Sequence, residues 1–407
     1  MQAIPLANAD ARGTRLTMVV AAGALIMSVG LGIRQTFGLF LAPISGSHAA
    51  SLALIALALA LQNLVWGFTQ PIVGSLSDRY GPPVIVAGGA LLYAAGLALV
   101  AIHPSIFTVV FGFGILVGLA QSGTTFAVVM SAVSRAATDK QRATATAIAA
   151  AAGSLGQVGL IPLAQTAISL SGFQRGLIVL AAFALIALPA GLWLKGRPNA
   201  PGPQVSGTSS LAAILVALRD RNYVFLTVGF FACGFQLAFV AIHLPTYLSL
   251  CHIPASIGAS ALALIGLFNI IGTFGFGKLM DRFPAQNLLA VLYVIRSTAI
   301  AVFVAVPPTA ATTLAFASVM GLAWLGTVPL TNGIIARMYG IGNLGALFGA
   351  CFLAHQVGSF LGAWLGGVTL QQTGSYQIMW AALIAVGYAS ALINLPIRVT
   401  SAAPVPV

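Results

Sequence analysis

Acidic residues are almost absent from this sequence. Five aspartates and no glutamate occur in 407 residues, and charged residues of both signs make up 5% of the chain. Soluble domains average about 25% charged residues, so the composition excludes an ordinary soluble enzyme. The 17 lysines and arginines give a formal net charge of +12, but they stand singly between apolar runs. We therefore expect no nucleic-acid partner, because such partners require clustered cations.

Cysteines are also scarce. Cys233, Cys251 and Cys351 are too few and too widely spaced for a disulfide framework or a zinc site. We find no nucleophile–base constellation and no metal-ligand spacing among the predicted loops. The sequence therefore predicts no enzyme, no metal and no other cofactor.

Long apolar runs dominate the chain, of which 59% is hydrophobic. Runs of about 18 or more apolar residues can cross a hydrocarbon core of about 30 Å. They predict an all-α membrane protein with twelve spans, in two six-helix bundles at residues 1–194 and 222–407 and with a polar linker at 195–221. The predicted spans are 17–42, 51–77, 83–102, 105–134, 143–170, 173–194, 222–248, 255–280, 286–306, 310–336, 344–369 and 376–397.

The cations predict the orientation of these spans. Positively charged loops stay in the cytoplasm, and only Arg175 lies beside a loop on the opposite side, while Arg34 and Arg296 lie within spans. We therefore expect an inner-membrane protein, multi-pass, with both termini cytoplasmic. The fourteen cations on the cytoplasmic side are Arg12, Arg15, Arg79, Arg135, Lys140, Arg142, Lys195, Arg197, Arg219, Arg221, Lys278, Arg282, Arg337 and Arg398.

A repeated loop follows the second and the eighth span. "GSLSDRYG" and "GKLMDRFP" place Gly74, Asp78 and Arg79 opposite Gly277, Asp281 and Arg282, each pair 203 positions apart. A parallel duplication of six spans is typical of two-bundle transporters. The first copy resembles the signature loop of the major facilitator superfamily, although prolines follow it where the family usually has basic residues. The resemblance implies a pseudo-symmetric fold. On physical grounds these aspartates can cap neighbouring helix N-termini and pair with the adjacent arginines, contacts that would hold the cytoplasmic side shut. The alternative is that the loop charges only set topology.

No acidic residue is predicted within the membrane. Asp10, Asp78, Asp139, Asp220 and Asp281 all fall in predicted tails or cytoplasmic loops. A carrier of organic cations, or one that relays protons on carboxylates, normally needs an acid at depth. The sequence therefore argues against cationic cargo.

Arg34 lies inside an otherwise uncharged run, "GLGIRQTFGLF". An arginine in lipid costs from about 2.5 to more than 10 kcal/mol, so it should face a cavity. With no carboxylate predicted at depth, its counter-ion would be an anionic substrate, whose carboxylate matches the guanidinium fork. Arg34 is therefore the predicted anion-binding residue.

Other polar residues at mid-depth form the rest of the predicted site. We expect hydrogen bonds to substrate from Gln236, Asn269, His355 and Gln356, and further substrate contacts from Gln121 and Asn332. For Gln121, Asn63 and Gln157, interhelical hydrogen bonds are an equal alternative. For Arg296, on the ninth span, we favour a structural role.

Two histidines lie within spans and are candidates for proton coupling. His355 lies near the middle of the eleventh span, where it can carry a proton or, alternatively, stay neutral against a helix carbonyl. His243 lies near Pro245, where structural capping is the better interpretation.

Several stretches also resemble the monocarboxylate-porter branch, which includes bacterial oxalate/formate exchangers. The resemblance assigns Arg34 the role of attracting the carboxylate. The span-eight pattern of these porters keeps its asparagine here as Asn269, but has Thr273 where an arginine is expected, and His355 replaces the exchangers' lysine. A monoanion is thus favoured over a dicarboxylate. The stretches are "GIRQTFGLFLAPI", "QRATATAIAAAAGSLGQ", "GFFACGFQLAFVAIHLPTYL", "LALIGLFNIIGTFGFGKLMD" and "FLAHQVGSFLGAWLGG".

Together these features predict a monomeric secondary transporter that moves a small organic monocarboxylate by alternating access, with proton coupling through His355 or the substrate itself. The lipid bilayer, the anion and a proton are its expected partners. Efflux of neutral or acidic drugs or metabolites is one alternative. A transporter-like receptor is another, but it would need a signalling domain for which no segment is long enough. The apolar part of the substrate would pack against Phe37, Phe235, Phe268 and Trp324.

Overall fold

The computed structural model describes residues 6–194, 210–340 and 344–399. Most of the predicted linker, residues 195–209, lies outside the described residues, and with it Lys195 and Arg197. The side chains of Asp10, Arg12, Asp139, Lys140 and Arg142 lie outside them too.

Every regular element in the described part of the chain is a helix. A π-helical segment, Val109–Leu116, and a 3-10 turn, Leu192–Leu194, accompany sixteen α-helices. These are α1 Leu6–Gly46, α2 Leu52–Tyr80, α3 Pro82–Ile102, α4 Ile106–Thr108, α5 Val117–Thr124, α6 Phe126–Ala136, α7 Asp139–Leu185, α8 Ala187–Gly191, α9 Ser210–Ala217, α10 Arg221–Leu250, α11 Ala255–Leu279, α12 Ala285–Ala305, α13 Ala310–Leu322, α14 Thr327–Tyr339, α15 Leu344–Thr373 and α16 Gln377–Asn394.

Eleven helical stretches in the described residues are long and apolar enough to cross a membrane. One of them, Thr144–Leu194, has 51 residues. At 1.5 Å per residue it would measure about 76 Å, more than twice the hydrocarbon thickness. Gly172, with φ 82° and ψ 168°, breaks it where the fifth predicted span gives way to the sixth. The stretches therefore correspond to the twelve predicted spans.

The fourth and tenth spans are interrupted, although the apolar pattern predicts them as continuous. The fourth contains the π-helical segment and a non-helical residue, Thr125, with φ −125° and ψ −149°. The tenth stops at Leu322 and resumes at Thr327. In this second break, Pro329 has no N–H to donate to the carbonyl of Leu325, which instead accepts from the backbone of Val328 at 3.0 Å.

The helices pack into two compact units, which do not coincide with the two predicted halves of the sequence. The first contains the chain up to Thr36 and from Phe68 to the end of the sixth span; the second contains Phe37–Gly67 and the chain from α9 onward. Within the second unit, Gly38 lies against the backbone of Ala241. Small residues allow helices to approach this closely in membranes. The division at residues 194 and 222 stays a prediction.

The same hydrogen bond occurs once in each unit. The Tyr93 hydroxyl on the third span donates to the carbonyl of Gly30 on the first span at 3.0 Å. The Tyr293 hydroxyl on the ninth span donates to the carbonyl of Gly229 on the seventh span at 2.6 Å. Equivalent spans are thus joined in the same way, as a duplication of six spans predicts.

Candidate functional site

Arg34 lies in the first unit, on the first span. From Val29 to Leu41 it is the one residue that is not buried. Its Nη1 donates to Oε1 of the adjacent Gln35 at 3.4 Å, and its charge lies near the Tyr93 hydroxyl. A half-buried arginine within an otherwise buried stretch suits the predicted anion-binding role.

Gln121 and Tyr93 lie beside each other on spans four and three of the same unit. The Tyr93 hydroxyl donates its hydrogen to the Gly30 carbonyl. Gln121 is fully buried, and its amide lies against the Tyr93 hydroxyl, but neither amide atom has a hydrogen bond of good geometry to a described residue. A buried polar group left unsatisfied costs about 1–3 kcal/mol, so an amide with both atoms free indicates a place for a ligand or an ordered water.

Tyr93 was not among the predicted site residues. In the sequence, a tyrosine on the third span resembles an ordinary buried aromatic. The available signal was a single hydroxyl in an otherwise apolar helix, "ALLYAAG". Burial brings this hydroxyl to Arg34 and Gln121, so Tyr93 joins the two predicted residues.

His355 and Gln356 lie in the second unit, on α15. Gln356 donates its amide nitrogen to the backbone carbonyl of Asn63 at 3.1 Å, which fixes the orientation of the amide. Its oxygen must then accept from Nδ1 of His355 at 3.1 Å, so the Nδ1 nitrogen carries a hydrogen. The imidazole stacks parallel to Phe352, with ring centroids 5.8 Å apart, and also lies beside the Cys233 thiol. The ring is therefore held in one orientation.

His243 is fully buried, and both of its ring nitrogens have partners. Nε2 donates to the carbonyl of Ala363 at 2.7 Å, and Nδ1 accepts from the Tyr376 hydroxyl at 2.9 Å. These bonds join α10 to α15 and to the start of α16. They favour the structural interpretation of His243, and its proposed part in proton coupling stays a prediction.

Gln236 is also fully buried, and its contacts favour packing over substrate binding. Its amide nitrogen donates to Oγ of Ser297 at 3.3 Å and to the carbonyl of Leu383 at 3.0 Å. These partners lie on the ninth and twelfth spans. The side chain therefore points toward those two spans, its amide oxygen has no hydrogen bond among the described residues, and its role in binding stays a prediction.

Asn269 and Arg296 meet the interrupted tenth span of the second unit. The side-chain oxygen of Asn269 accepts from the backbone nitrogen of Leu325 at 2.9 Å. Arg296 donates from Nε to the carbonyl of Ala323 at 2.7 Å and from Nη2 to that of Trp324 at 2.6 Å. These bonds favour a structural role for Arg296, although its Nη1 is buried without a hydrogen bond among the described residues, and the role stays a prediction.

The remaining predicted substrate contacts are placed as follows. Asn332 is half-buried on α14, and Gln157 is buried on α7. Phe37, Phe235 and Trp324 are buried, whereas Phe268 is partly exposed. These positions leave their predicted contact with substrate untested.

The repeated loop places its charges at helix ends. Asp78 accepts from Arg135, at the end of α6, with 2.6 Å between oxygen and nitrogen. The adjacent Arg79 instead lies over the ring of Tyr80, 5.3 Å from its centroid. Asp281 and Arg282 are exposed in the turn that follows α11. The partner of Asp78 is therefore an arginine of another span and not the adjacent arginine that we predicted. Gly74 lies within α2. The gating role of the loop stays a prediction.

Known proteins resemble the chain along most of its length. The uncharacterized MFS-type transporter YcxA of Bacillus subtilis (strain 168) is 26% identical over 393 residues, which cover 94% of this chain and 95% of that protein. Monocarboxylate transporter 13 of Bos taurus is 23% identical over 389 residues, covering 93% and 89%. Monocarboxylate transporter 11 of Homo sapiens is 27% identical over 381 residues, covering 88% and 78%.

The family assignment follows from a match to a family profile. The Major Facilitator Superfamily profile covers residues 16–363, well over half of the chain. The helical architecture and the repeated loop agree with it. The chain belongs to the Major Facilitator Superfamily of transporters.

Proposed function

We propose that this protein is a secondary transporter that moves a small organic monocarboxylate across the inner membrane by alternating access. Arg34 and Gln121 bind the carboxylate in the first unit, with Tyr93 beside them. The observation that carries the proposal is the buried Gln121 amide beside Tyr93, whose nitrogen and oxygen both lack a hydrogen bond of good geometry among the described residues. A carboxylate would accept from that nitrogen while it faces the guanidinium.

The distribution of charge supports an anion over a cation or a neutral molecule. The described carboxylates Asp78, Asp220 and Asp281 all lie at or beside helix ends, so none stands at mid-span beside Arg34. A guanidinium in a low-dielectric site binds a carboxylate with two parallel hydrogen bonds and strong charge attraction. The names of the mammalian relatives, monocarboxylate transporters 11 and 13, support the same substrate class.

Proton coupling is assigned to His355. Its Nδ1 hydrogen is already donated to Gln356, so a proton taken from solution would be added at the other ring nitrogen. A protonated imidazole would add a positive charge to spans that already hold Arg34 and Arg296, and an accompanying anion would offset that charge. Proton and carboxylate would then move together.

A binding screen tests this proposal. Purified protein is titrated with short monocarboxylates and with their neutral amides, and the Arg34→Gln and Gln121→Leu variants are titrated in parallel. We expect Arg34→Gln to weaken carboxylate binding at least tenfold and Gln121→Leu to weaken it less, because one hydrogen bond to a charged group is worth about 1.5–3 kcal/mol.

Asn394→Leu is the control, because it removes a fully buried amide of α16 that is outside the predicted site and whose nitrogen donates to the carbonyl of Ser390 at 2.8 Å. It should leave the dissociation constant unchanged. Equal binding of the amide analogues, or carboxylate binding that survives in Arg34→Gln, would reject the proposal and favour efflux of neutral molecules.

A further inference from the structure

The break in the tenth span leaves backbone groups that the helix itself does not satisfy. α13 ends at Leu322 and α14 begins at Thr327, within the sequence "LAWLGTVPL". Pro329 explains one lost bond, the one that would reach the carbonyl of Leu325. It does not explain the carbonyls of Ala323 and Trp324 or the N–H of Leu325. In the membrane core each unsatisfied group of this kind costs several kcal/mol.

Arg296 satisfies the two carbonyls at the end of α13. Its Nε and Nη2 hydrogens lie on one edge of the guanidinium and reach two consecutive carbonyls, at 2.7 and 2.6 Å. The C-terminus of a helix carries a partial negative charge of about half an electron, so a cation is favourable there. The guanidinium also lies over the ring of Tyr293, 5.4 Å from its centroid. A fully buried charge is thereby stabilised without a carboxylate among its described partners.

Asn269 satisfies the other side of the break. Its side-chain oxygen accepts from the N–H of Leu325 at 2.9 Å and from the Thr273 hydroxyl at 3.0 Å. At the first residue of α14, the Thr327 hydroxyl lies 3.2 Å from the sulfur of Cys233. Side chains from spans seven, eight and nine therefore hold the two ends of the break, and the tenth span does not hold them alone.

We propose that Arg296 and Asn269 form a two-sided clamp that keeps the tenth span divided and fixes the position of α14 for transport. In this arrangement Arg296 is a positioning residue: it touches backbone, not substrate, and acts through the helix that carries Asn332. The clamp itself is independent of the transported molecule, whereas its effect on transport rests on the proposed function. A lysine has one nitrogen and cannot reproduce the fork on two consecutive carbonyls.

Hydrogen–deuterium exchange of the purified full chain tests the clamp directly. In Arg296→Lys, the amides of residues 323–328 should exchange about tenfold faster than in the wild type, because a hydrogen bond to a charged group is lost. Peptides from α3 and α16 should be unchanged. Arg337→Lys is the matched control, since Arg337 is an exposed arginine in the last turn of α14. Unchanged exchange at residues 323–328 in Arg296→Lys would overturn the clamp.

Asn269 provides a second pair of variants in case Arg296→Lys does not fold. Asn269→Leu has nearly the same shape but no acceptor, whereas Asn269→Asp keeps an oxygen that can accept from Leu325. Exchange at residues 323–328 should rise in Asn269→Leu and return toward the wild-type rate in Asn269→Asp. Equal exchange in the two variants would contradict the clamp, whatever the transported substrate is.

Transport measurements separate positioning from a purely structural effect. In liposomes, Arg296→Lys should reduce the turnover of the carboxylate at least tenfold while its dissociation constant changes less than twofold. The clamp does not position α14 if the variant turns over at the wild-type rate. The same conclusion follows if binding is lost in proportion to turnover. If wild-type protein binds no carboxylate, the proposed function fails, and the exchange experiment still decides whether the clamp exists.

Discussion

The Nε2 nitrogen of His243 lies 2.7 Å from the carbonyl oxygen of Ala363, and this contact determines the tautomer of the ring. A carbonyl can only accept, so Nε2 carries the hydrogen and Nδ1 accepts from the Tyr376 hydroxyl. The ring also packs against Gly366, where a Cβ would meet it. A buried imidazole with both nitrogens engaged joins three helices as a neutral group.

His243→Phe should therefore lower stability without changing the pH dependence of transport. The substitution keeps an aromatic ring but removes the hydrogen bonds to the Ala363 carbonyl and from the Tyr376 hydroxyl, each worth about 0.5–1.5 kcal/mol. Thermal unfolding in detergent measures the loss. Tyr376→Phe removes only the second bond and should cost less. A changed pH profile in His243→Phe would return this histidine to the proton pathway.

Helix contacts in the first unit depend on glycines of the fifth span. A Cβ at Gly156 would collide with the backbone of Ser28, whose hydroxyl donates to the carbonyl of Ala152 at 2.5 Å. Gly159 lies less than one turn away and has open space at the same position.

Gly156→Ala should consequently destabilise the protein by about 1–3 kcal/mol, as overpacked sites do. Gly159→Ala should be neutral or slightly stabilising, because alanine favours the helix. Folded yield and thermal unfolding of the two variants measure the difference. Equal behaviour of the two would show that the first and fifth spans are not in close contact.

The apolar runs predicted the number of spans and most of their positions. They did not predict the breaks within spans or the contacts that the side chains make. Run length is a local property, so Gly172 could be anticipated as a turn between spans five and six. The division of span ten could not, because it depends on Arg296 and Asn269, which come from other spans. In the same way the sequence could not show which neighbouring spans the Gln236 side chain faces. It contacts Ser297 and Leu383, and that outcome depends on how the helices pack.

The candidate site was predicted only in part for a related reason. Arg34 is conspicuous because a charge in an apolar run is costly wherever it lies. Gln121 was one of several amides with equal claims, and only its unsatisfied nitrogen and oxygen distinguish it. Tyr93 looked like a core aromatic. Its proximity to the other two comes from the packing of span three, which no periodicity along the chain reports.

Asp78 and Arg135 form an ion pair in which the aspartate is more exposed to solvent than the arginine. The side chain of Asp78 is 64% exposed and that of Arg135 28%. Exposed pairs contribute about 0.2–1 kcal/mol and are weakened by salt. Asp78→Asn and Arg135→Gln should therefore have small effects on stability, and the double variant should cost less than the sum of the two.

Transport gives a separate test of this pair. If it helps to hold one conformation, both single variants should slow transport to a similar extent, with little further loss in the double variant. Transport rates of the wild type and the variants are then measured at low and high salt. The difference between them should shrink as salt rises, because salt screens the ion pair in the wild type. Additive losses in the double variant would show that the two residues act independently.

His355→Gln should separate carboxylate exchange from proton-driven accumulation. Glutamine keeps a polar side chain on α15 but cannot carry a proton, so the anion would still bind and exchange. In liposomes we expect carboxylate counterflow to persist at more than half of the wild-type rate, while accumulation driven by a pH gradient is lost. The control is His48→Gln, since His48 lies in the connection between α1 and α2. Accumulation that survives in His355→Gln would assign the proton to the substrate carboxylate, and loss of both activities would make His355 a substrate ligand.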